Sequence, residues 1–372
     1  MFRDSFKKVK AYHSPDKILV FFIFLAMAIG LILLFSASSV AAYVRSGNSL
    51  YFLKHQLYGL ALGIPAFIIL SKIDYHRYRN FAIHFLVISV GFLVLTFIPG
   101  LSASYGKAGN WINIFGFSLQ PSEFVKIFFL LYLAAWLDTK KEKLNSLGEG
   151  LIPFILIFIP IAALIMMQPD FGTLLIIFSS SVICYFVAGA PKKHFFIGIV
   201  IALIAIAVLV NFKSNKMERI ECYRHPESDV AGKCYQVNQS LIAIGSGGFW
   251  GRGLGESRQK FMYLPEVWSD SIFAAVAEEL GFVFSLAVIA IFFVIFYRGI
   301  KIAKNTPDFY GKILAAGLVS WVLVQTILNI GGSTNLIPMT GVPLPFVSAG
   351  GSSVLALFSA MGILVNISRQ TK

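Results

Sequence analysis

Apolar runs of about 20 residues recur from one end of this 372-residue chain to the other. A helix needs about that length to cross roughly 30 Å of hydrocarbon, where every backbone polar group must be satisfied within the segment. Candidate spans lie near 18–44, 51–72, 80–99, 121–138, 150–168, 171–190, 193–212, 271–298, 310–332 and 346–367. Hydrophobic residues make up 57% of the chain and charged residues 13%, and no long polar segment could hold a separate water-soluble core. The pattern predicts an all-α integral membrane protein: a bundle of about ten transmembrane helices forming one domain over residues 1–372. The first run is too long for a signal-peptide core and flows into Phe35-Ser36-Ala37-Ser38 without a cleavage pattern, so it reads as a first span that also targets the chain.

The net charge of +13 would suggest nucleic acid in a soluble protein, but many of the Lys and Arg residues fall in short loops between apolar runs, where orientation in the membrane accounts for them. Clusters at Arg3 to Lys17, Lys72 to Arg79, Lys140 to Lys143, Lys192 and Lys193, Arg298 to Lys312, and Arg369 with Lys372 all share one side if the spans number ten. Both termini are then cytoplasmic. The opposite side receives the stretch before Gln120, the turn Gln168-Pro169-Asp170, the segment Thr340 to Ser353 and a large loop from about 213 to 270 between helices 7 and 8. Such a long connection is usually functional or disordered, and short helices at the membrane surface are expected in part of it. Three cysteines are too few for a disulfide framework. Cys222 and Cys234 share this external loop, as a disulfide or as two free thiols, while Cys184 is core.

Ionisable groups in or beside apolar spans cost roughly 2.5–3.5 kcal/mol each on insertion scales and persist mainly when paired or facing a wet cavity. Glu123 and Lys126 share a helix face three residues apart; they form either an ion pair that lets a helix start in lipid, or a pair that binds phosphate or positions a base. Asp170, before Phe171-Gly172-Thr173, reads as a helix cap. Asp270 holds a similar position, but it lies where the long loop enters the bilayer, near Arg252, Arg258 and Lys260. A carboxylate at a basic, partly dry mouth suits a general base. Glu278 and Glu279 lie about 12–13 Å deeper at 1.5 Å per residue, so they read as buried pairing groups.

The glycine-rich run Gly245 to Gly255 lacks the strand, crossover helix and Gly-Lys-Ser/Thr of a nucleotide site, and reads as backbone free to approach a ligand or a membrane surface. His13, His55, His76, His84, His194 and His225 show no metal-ligand spacing.

Taken in order, Gln120-Pro121-Ser122-Glu123-Phe124-Val125-Lys126, Gln168-Pro169-Asp170-Phe171-Gly172-Thr173, Tyr263-Leu264-Pro265-Glu266 leading to Asp270, Ala277-Glu278-Glu279-Leu280-Gly281, and Thr340 to Phe346 with Gly350-Gly351-Ser352-Ser353 resemble the SEDS family of FtsW, RodA and SpoVE. The likeness runs along nearly the whole chain, and Gly253-Leu254-Gly255 with Gln259-Lys260 is more similar to the FtsW branch than to RodA. The resemblance implies a ten-helix peptidoglycan glycosyltransferase of the bacterial cytoplasmic membrane, acting in division or shape maintenance. It would polymerise lipid II into β-1,4 glycan and release undecaprenyl pyrophosphate on the outer face. The implied partners are lipid II, the growing strand, a class B penicillin-binding protein and other divisome or elongasome membrane proteins, with no nucleic acid. Asp270 matches the family's essential aspartate. Lys126, Lys107, Arg252, Arg258 and Lys260 are candidate cations for the pyrophosphate, a divalent cation (Mg or Mn) is a further candidate, and Glu123, Gln120 and Ser352 are candidate supporting residues. Trp268-Ser269 departs from the usual His-Thr before the aspartate, and Asn110 replaces an expected Arg before Trp111, for which Lys107 is the candidate substitute. Two other classes compete: a lipid II flippase, which intramembrane charges and broken helices also suit, and a non-catalytic scaffold for the penicillin-binding protein.

Overall fold

The structure, a computed structural model, describes residues 13–105, 108–114, 117–194, 196–198 and 214–371. The expected span at 193–212 lies almost wholly outside them, as do Lys107 and the basic residues before His13. The chain builds a helical bundle from α1 (Lys17–Ser46), α2 (Tyr51–Lys72), a short α3 (His76–Arg79), α4 (Ala82–Leu95), α5 (Pro121–Thr139), α6 (Ile152–Met167) and α7 (Phe171–Val187). After the undescribed stretch come α8 (Ser214–Arg224), α9 (Tyr235–Gly247), α10 (Ile272–Asn305), α11 (Phe309–Ser333) and α12 (Gly351–Ser368). Among the described residues six helices are long and apolar enough to cross a membrane, and α4 and α7 are shorter apolar helices. The chain is therefore a multi-pass membrane protein. α5 is interrupted by Glu123, Lys126 and Asp138, which lower its mean hydropathy without shortening it.

Local chemistry sets the helix ends. The Asp16 carboxylate accepts from the Leu19 amide at 2.9 Å to start α1, and Gly47 in the left-handed region stops it. Asp308 caps α11 by accepting from the Gly311 amide at 2.7 Å. α2 and α12 pack closely because a Cβ on Gly59 would overlap the Gly351 backbone, and one on Gly362 would crowd the Phe67 carbonyl. Without a hydrophobic drive between helices in lipid, such close small-residue approach is how they associate.

α10 is broken at Gly281, with φ 74 and ψ −174. The freed groups are taken up by the glycine-rich run: Glu278 and Glu279 carbonyls accept from the Arg252 and Gly253 amides at 3.0 and 2.9 Å, and the Phe282 and Val283 amides donate to Gly248 and Phe249 at 2.9 and 3.2 Å. A Cβ on Gly247, Gly251 or Gly281 would overlap backbone across this junction. The run is thus docked against a helix break, which corrects its reading as free backbone.

A departure from the all-α expectation is a small antiparallel sheet, β1 (Ser102–Tyr105), β2 (Ala108–Ile114) and β3 (Phe117–Leu119), with Ser102 opposite Ile112 and Asn113 opposite Ser118. It leads directly into α5.

The two ends of the bundle differ. Asp16 pairs with Arg298 at 2.5 Å and its amide donates to Ser368, so the start of α1 meets the far ends of α10 and α12. Arg79 pairs with Asp138 at 2.7 Å, and Tyr75 donates to Asp308, at the same end. The end of α1 and the starts of α2, α5, α10 and α12 gather at the opposite end, around a groove.

Candidate active site

That groove encloses about 520 Å³ and is lined by Arg45, Tyr51, His55, Trp111, Glu266, Trp268, Asp270 and Ser352, among others. α1 delivers Arg45 at its last turn, over the Trp268 ring at 5.7 Å, and Trp268 stacks on Phe52 at 4.8 Å. The strand β2 delivers Trp111, and Ser352 at the start of α12 accepts from the Gln120 amide at 3.3 Å.

Asp270 sits two residues ahead of α10, partly exposed to the groove. Gln236 of α9 donates to one of its oxygens at 3.3 Å. Among the described residues no cation comes within ion-pair distance. Burial pushes its carboxyl up to about 7, and the neighbouring Glu266 carboxylate adds to the rise. A backbone amide, Gln236 and, from beyond ion-pair distance, the Arg219 guanidinium pull the other way by less, so the carboxyl keeps a raised affinity for a proton.

The other acids of this stretch are saturated. Glu278 accepts from the Ser257 hydroxyl at 2.5 Å and from the Arg258 and Gln259 amides at 3.0 and 3.2 Å, with Arg252 at 3.7 Å. Glu279 accepts from Ser36 at 2.6 Å and pairs with Lys260 at 3.0 Å. The Lys260 ammonium also donates to the Gly255 carbonyl. Lys260 and Arg252 are therefore engaged at the helix break, the Arg258 side chain is exposed, and none of the three lines the groove.

Lys126 is 1% exposed, pairs with Glu123 at 2.8 Å, donates to the Gln325 side chain at 3.0 Å and lies over the Trp321 ring at 4.8 Å. It does not line the groove either. Asp170 caps α7, accepting from the Thr173 amide and hydroxyl at 3.1 and 2.9 Å, and from the Asn110 amide group at 3.0 Å. Asn110 at the expected arginine position is thus buried as a neutral tie between the sheet and that cap. Cys222 and Cys234 are disulfide-bonded, joining α8 to the start of α9.

Arg45, Tyr51, His55, Glu266 and Trp268 were not singled out from sequence as site residues. Arg45 had a signal: it is a cation at the end of the first span, on the side that receives Asp270 and the long loop. No three His, Cys, Asp or Glu side chains among the described residues cluster to hold a metal. Asp270 and Glu266 are the carboxylates that line the groove among the described residues.

Stage V sporulation protein E of Bacillus subtilis (strain 168) is 40% identical over 96% of this chain and 98% of its own length. The probable peptidoglycan glycosyltransferase FtsW of the same organism is 38% identical over 98% of this chain and 93% of its own. A solved chain described under the structural coordination of polymerization and crosslinking by a peptidoglycan synthase complex superposes with TM-score 0.79 over 95% of this chain and 98% of that one, at 24% identity. The rod shape determining protein RodA of Thermus thermophilus does so with TM-score 0.71 over 96% and 97%, also at 24% identity. These two likenesses are of fold. The cell cycle protein family of FtsW, RodA and SpoVE matches residues 16–372, and the chain belongs to it.

Proposed function

We propose that the chain is a peptidoglycan glycosyltransferase that polymerises lipid II in the bacterial cytoplasmic membrane, with Asp270 as general base. Family membership and relatives named as probable peptidoglycan glycosyltransferases support the activity. The observation that carries the site is the Asp270 carboxyl in the groove wall, unpaired by any described cation and pushed up to about 7. A base with that affinity for a proton is matched to chemistry near neutral pH.

The reaction joins two lipid-anchored sugars. Asp270 takes the proton from the acceptor's 4-hydroxyl as that oxygen attacks the donor's anomeric carbon. The new carbon–oxygen bond forms as the bond to pyrophosphate breaks, and inversion of an α-linked donor gives a β-1,4 glycan. The departing pyrophosphate carries the electron pair away, and Arg45, in the same groove, supplies a positive charge to offset it. Holding both sugars beside one carboxylate removes part of the entropic barrier. Tyr51, Tyr58, Trp111 and Trp268 give the groove aromatic faces that suit sugar rings and the polar start of a lipid chain.

The basic ends of α2, α5, α10 and α12 lie with the chain termini, away from the groove, which fits cytoplasmic termini and a groove on the outer face. The bundle of about ten spans works beside a class B penicillin-binding protein that crosslinks the strands, a pairing supported by the fold likeness to a chain of a synthase complex. Purified protein given lipid II in detergent tests the activity: a polymerase makes glycan strands with no membrane to cross. A flippase makes none, and neither does a scaffold.

A further inference from the structure

We propose that Asn329 and Ser333 of α11 are positioning residues that clamp the backbone of Asp270 and so aim its carboxylate into the groove. The inference rests on the proposed role of Asp270 as base.

Asp270 precedes α10 and carries one side-chain hydrogen bond, the 3.3 Å contact from Gln236. Its aim therefore depends on where its backbone is held. The Asp270 carbonyl accepts from the Asn329 amide group at 3.0 Å and from the Ser333 hydroxyl at 3.3 Å. Both side chains are buried. The same Asn329 nitrogen donates to the Val342 carbonyl at 2.8 Å, tying Asp270 to the loop whose Gly341 faces its Oδ2. One turn earlier Gln325 donates to the Pro343 carbonyl at 3.0 Å, while its own oxygen accepts from Trp321 at 2.7 Å and from Lys126 at 3.0 Å.

Gln325, Asn329 and Ser333 recur every four residues, so they form one polar stripe along a mostly apolar helix. Polar side chains inside a membrane helix persist when they satisfy groups that would otherwise be orphaned, and these satisfy three carbonyls of the two segments that frame the groove. The Glu123–Lys126 pair anchors the far end of the stripe. Of its two sequence readings, the ion pair reaches the base through α11 rather than by touching substrate.

The test uses purified full-length Asn329→Ala and Ser333→Ala with lipid II in detergent, beside wild type and Asp270→Asn. A clamp that loosens by about 1 Å lowers kcat on the order of 10²-fold. For Asn329→Ala the expected result is a large fall in kcat with KM unchanged. Asp270 is faced by Glu266, which raises its carboxyl, and by Arg219, which lowers it; the acid limb of the pH–rate profile should move below the wild-type midpoint, because a freed carboxyl reaches more water. Ser333→Ala should move both readouts the same way by less, and it decides the matter alone if Asn329→Ala does not fold. Folded variants with wild-type kcat and an unmoved pH profile overturn the clamp. Strand synthesis by Asp270→Asn overturns the base itself, and the clamp with it; an inactive Asp270→Asn beside fully active clamp variants removes the clamp alone.

Discussion

Asp270 and the pair Glu278 and Glu279 sit at the head of the same helix, yet the protein treats them in opposite ways. Each glutamate is sealed: hydroxyls, amides and a lysine saturate both carboxylates beside the break at Gly281. Asp270 opens on the groove with one side-chain amide donor and, among the described residues, no cation at ion-pair distance; Arg219 acts on it only from farther off. A sealed carboxylate cannot take a proton from a substrate, because it is buried away from the groove and each of its oxygens already holds a donor. A carboxylate raised by burial, open to the groove and without a direct ion pair can. Degree of satisfaction, more than depth in the helix, separates the architectural acids from the reactive one.

The sharpest way to break this contrast is to neutralise each side of it. Asp270→Asn should lower strand synthesis by about 10²–10⁴-fold, the usual worth of a general base, while leaving thermal unfolding in detergent unchanged or later. Glu279→Gln should do the reverse. It leaves the Lys260 ammonium buried without its charge partner, and removing one member of such a pair typically destabilises by about 3–5 kcal/mol, read as an earlier melting transition. Replacing Lys260 by Met in the Glu279→Gln background should recover much of that loss, whereas an unaltered transition in the single variant would mean the pair is not sealed.

Gly281→Ala probes the break that holds the glutamates. Forcing an alanine into φ 74, where its Cβ also meets the Gly251 amide, should cost about 1–3 kcal/mol. Protease protection of the 248–260 segment reports it, and undiminished protection would show that the loop does not depend on the break.

Much of the architecture was legible because lipid imposes a simple rule on length and polarity. The expected spans at 51–72, 121–138 and 310–332 match α2, α5 and α11 to within a residue or so. Glu278 and Glu279 were readable as pairing groups for the same reason: unpaired charges there are too costly. The sheet over 102–119 was missed, although the sequence around it carries Gly106 and Gly116, because short strands in a polar connection give little periodicity. Beyond Glu123, the partners of Lys126 were hidden. Gln325 lies 199 positions away, and nothing local to Lys126 distinguishes an ammonium that faces a ligand from one closed by a distant amide. The purpose of the glycine-rich run depended likewise on Gly281, quoted only as part of a motif, which shows its role when the two backbones are seen to exchange hydrogen bonds.

The claim that Asp270 is the base is tested most directly by the pH dependence of strand elongation by the purified protein at saturating lipid II. The base must be ionised to act, and its carboxyl is pushed up to about 7, so the rate should fall about tenfold per pH unit below that point and level off above it. A rate that stays level from about pH 5 to about pH 8 would contradict it, since no carboxyl held so high could then be accepting the proton.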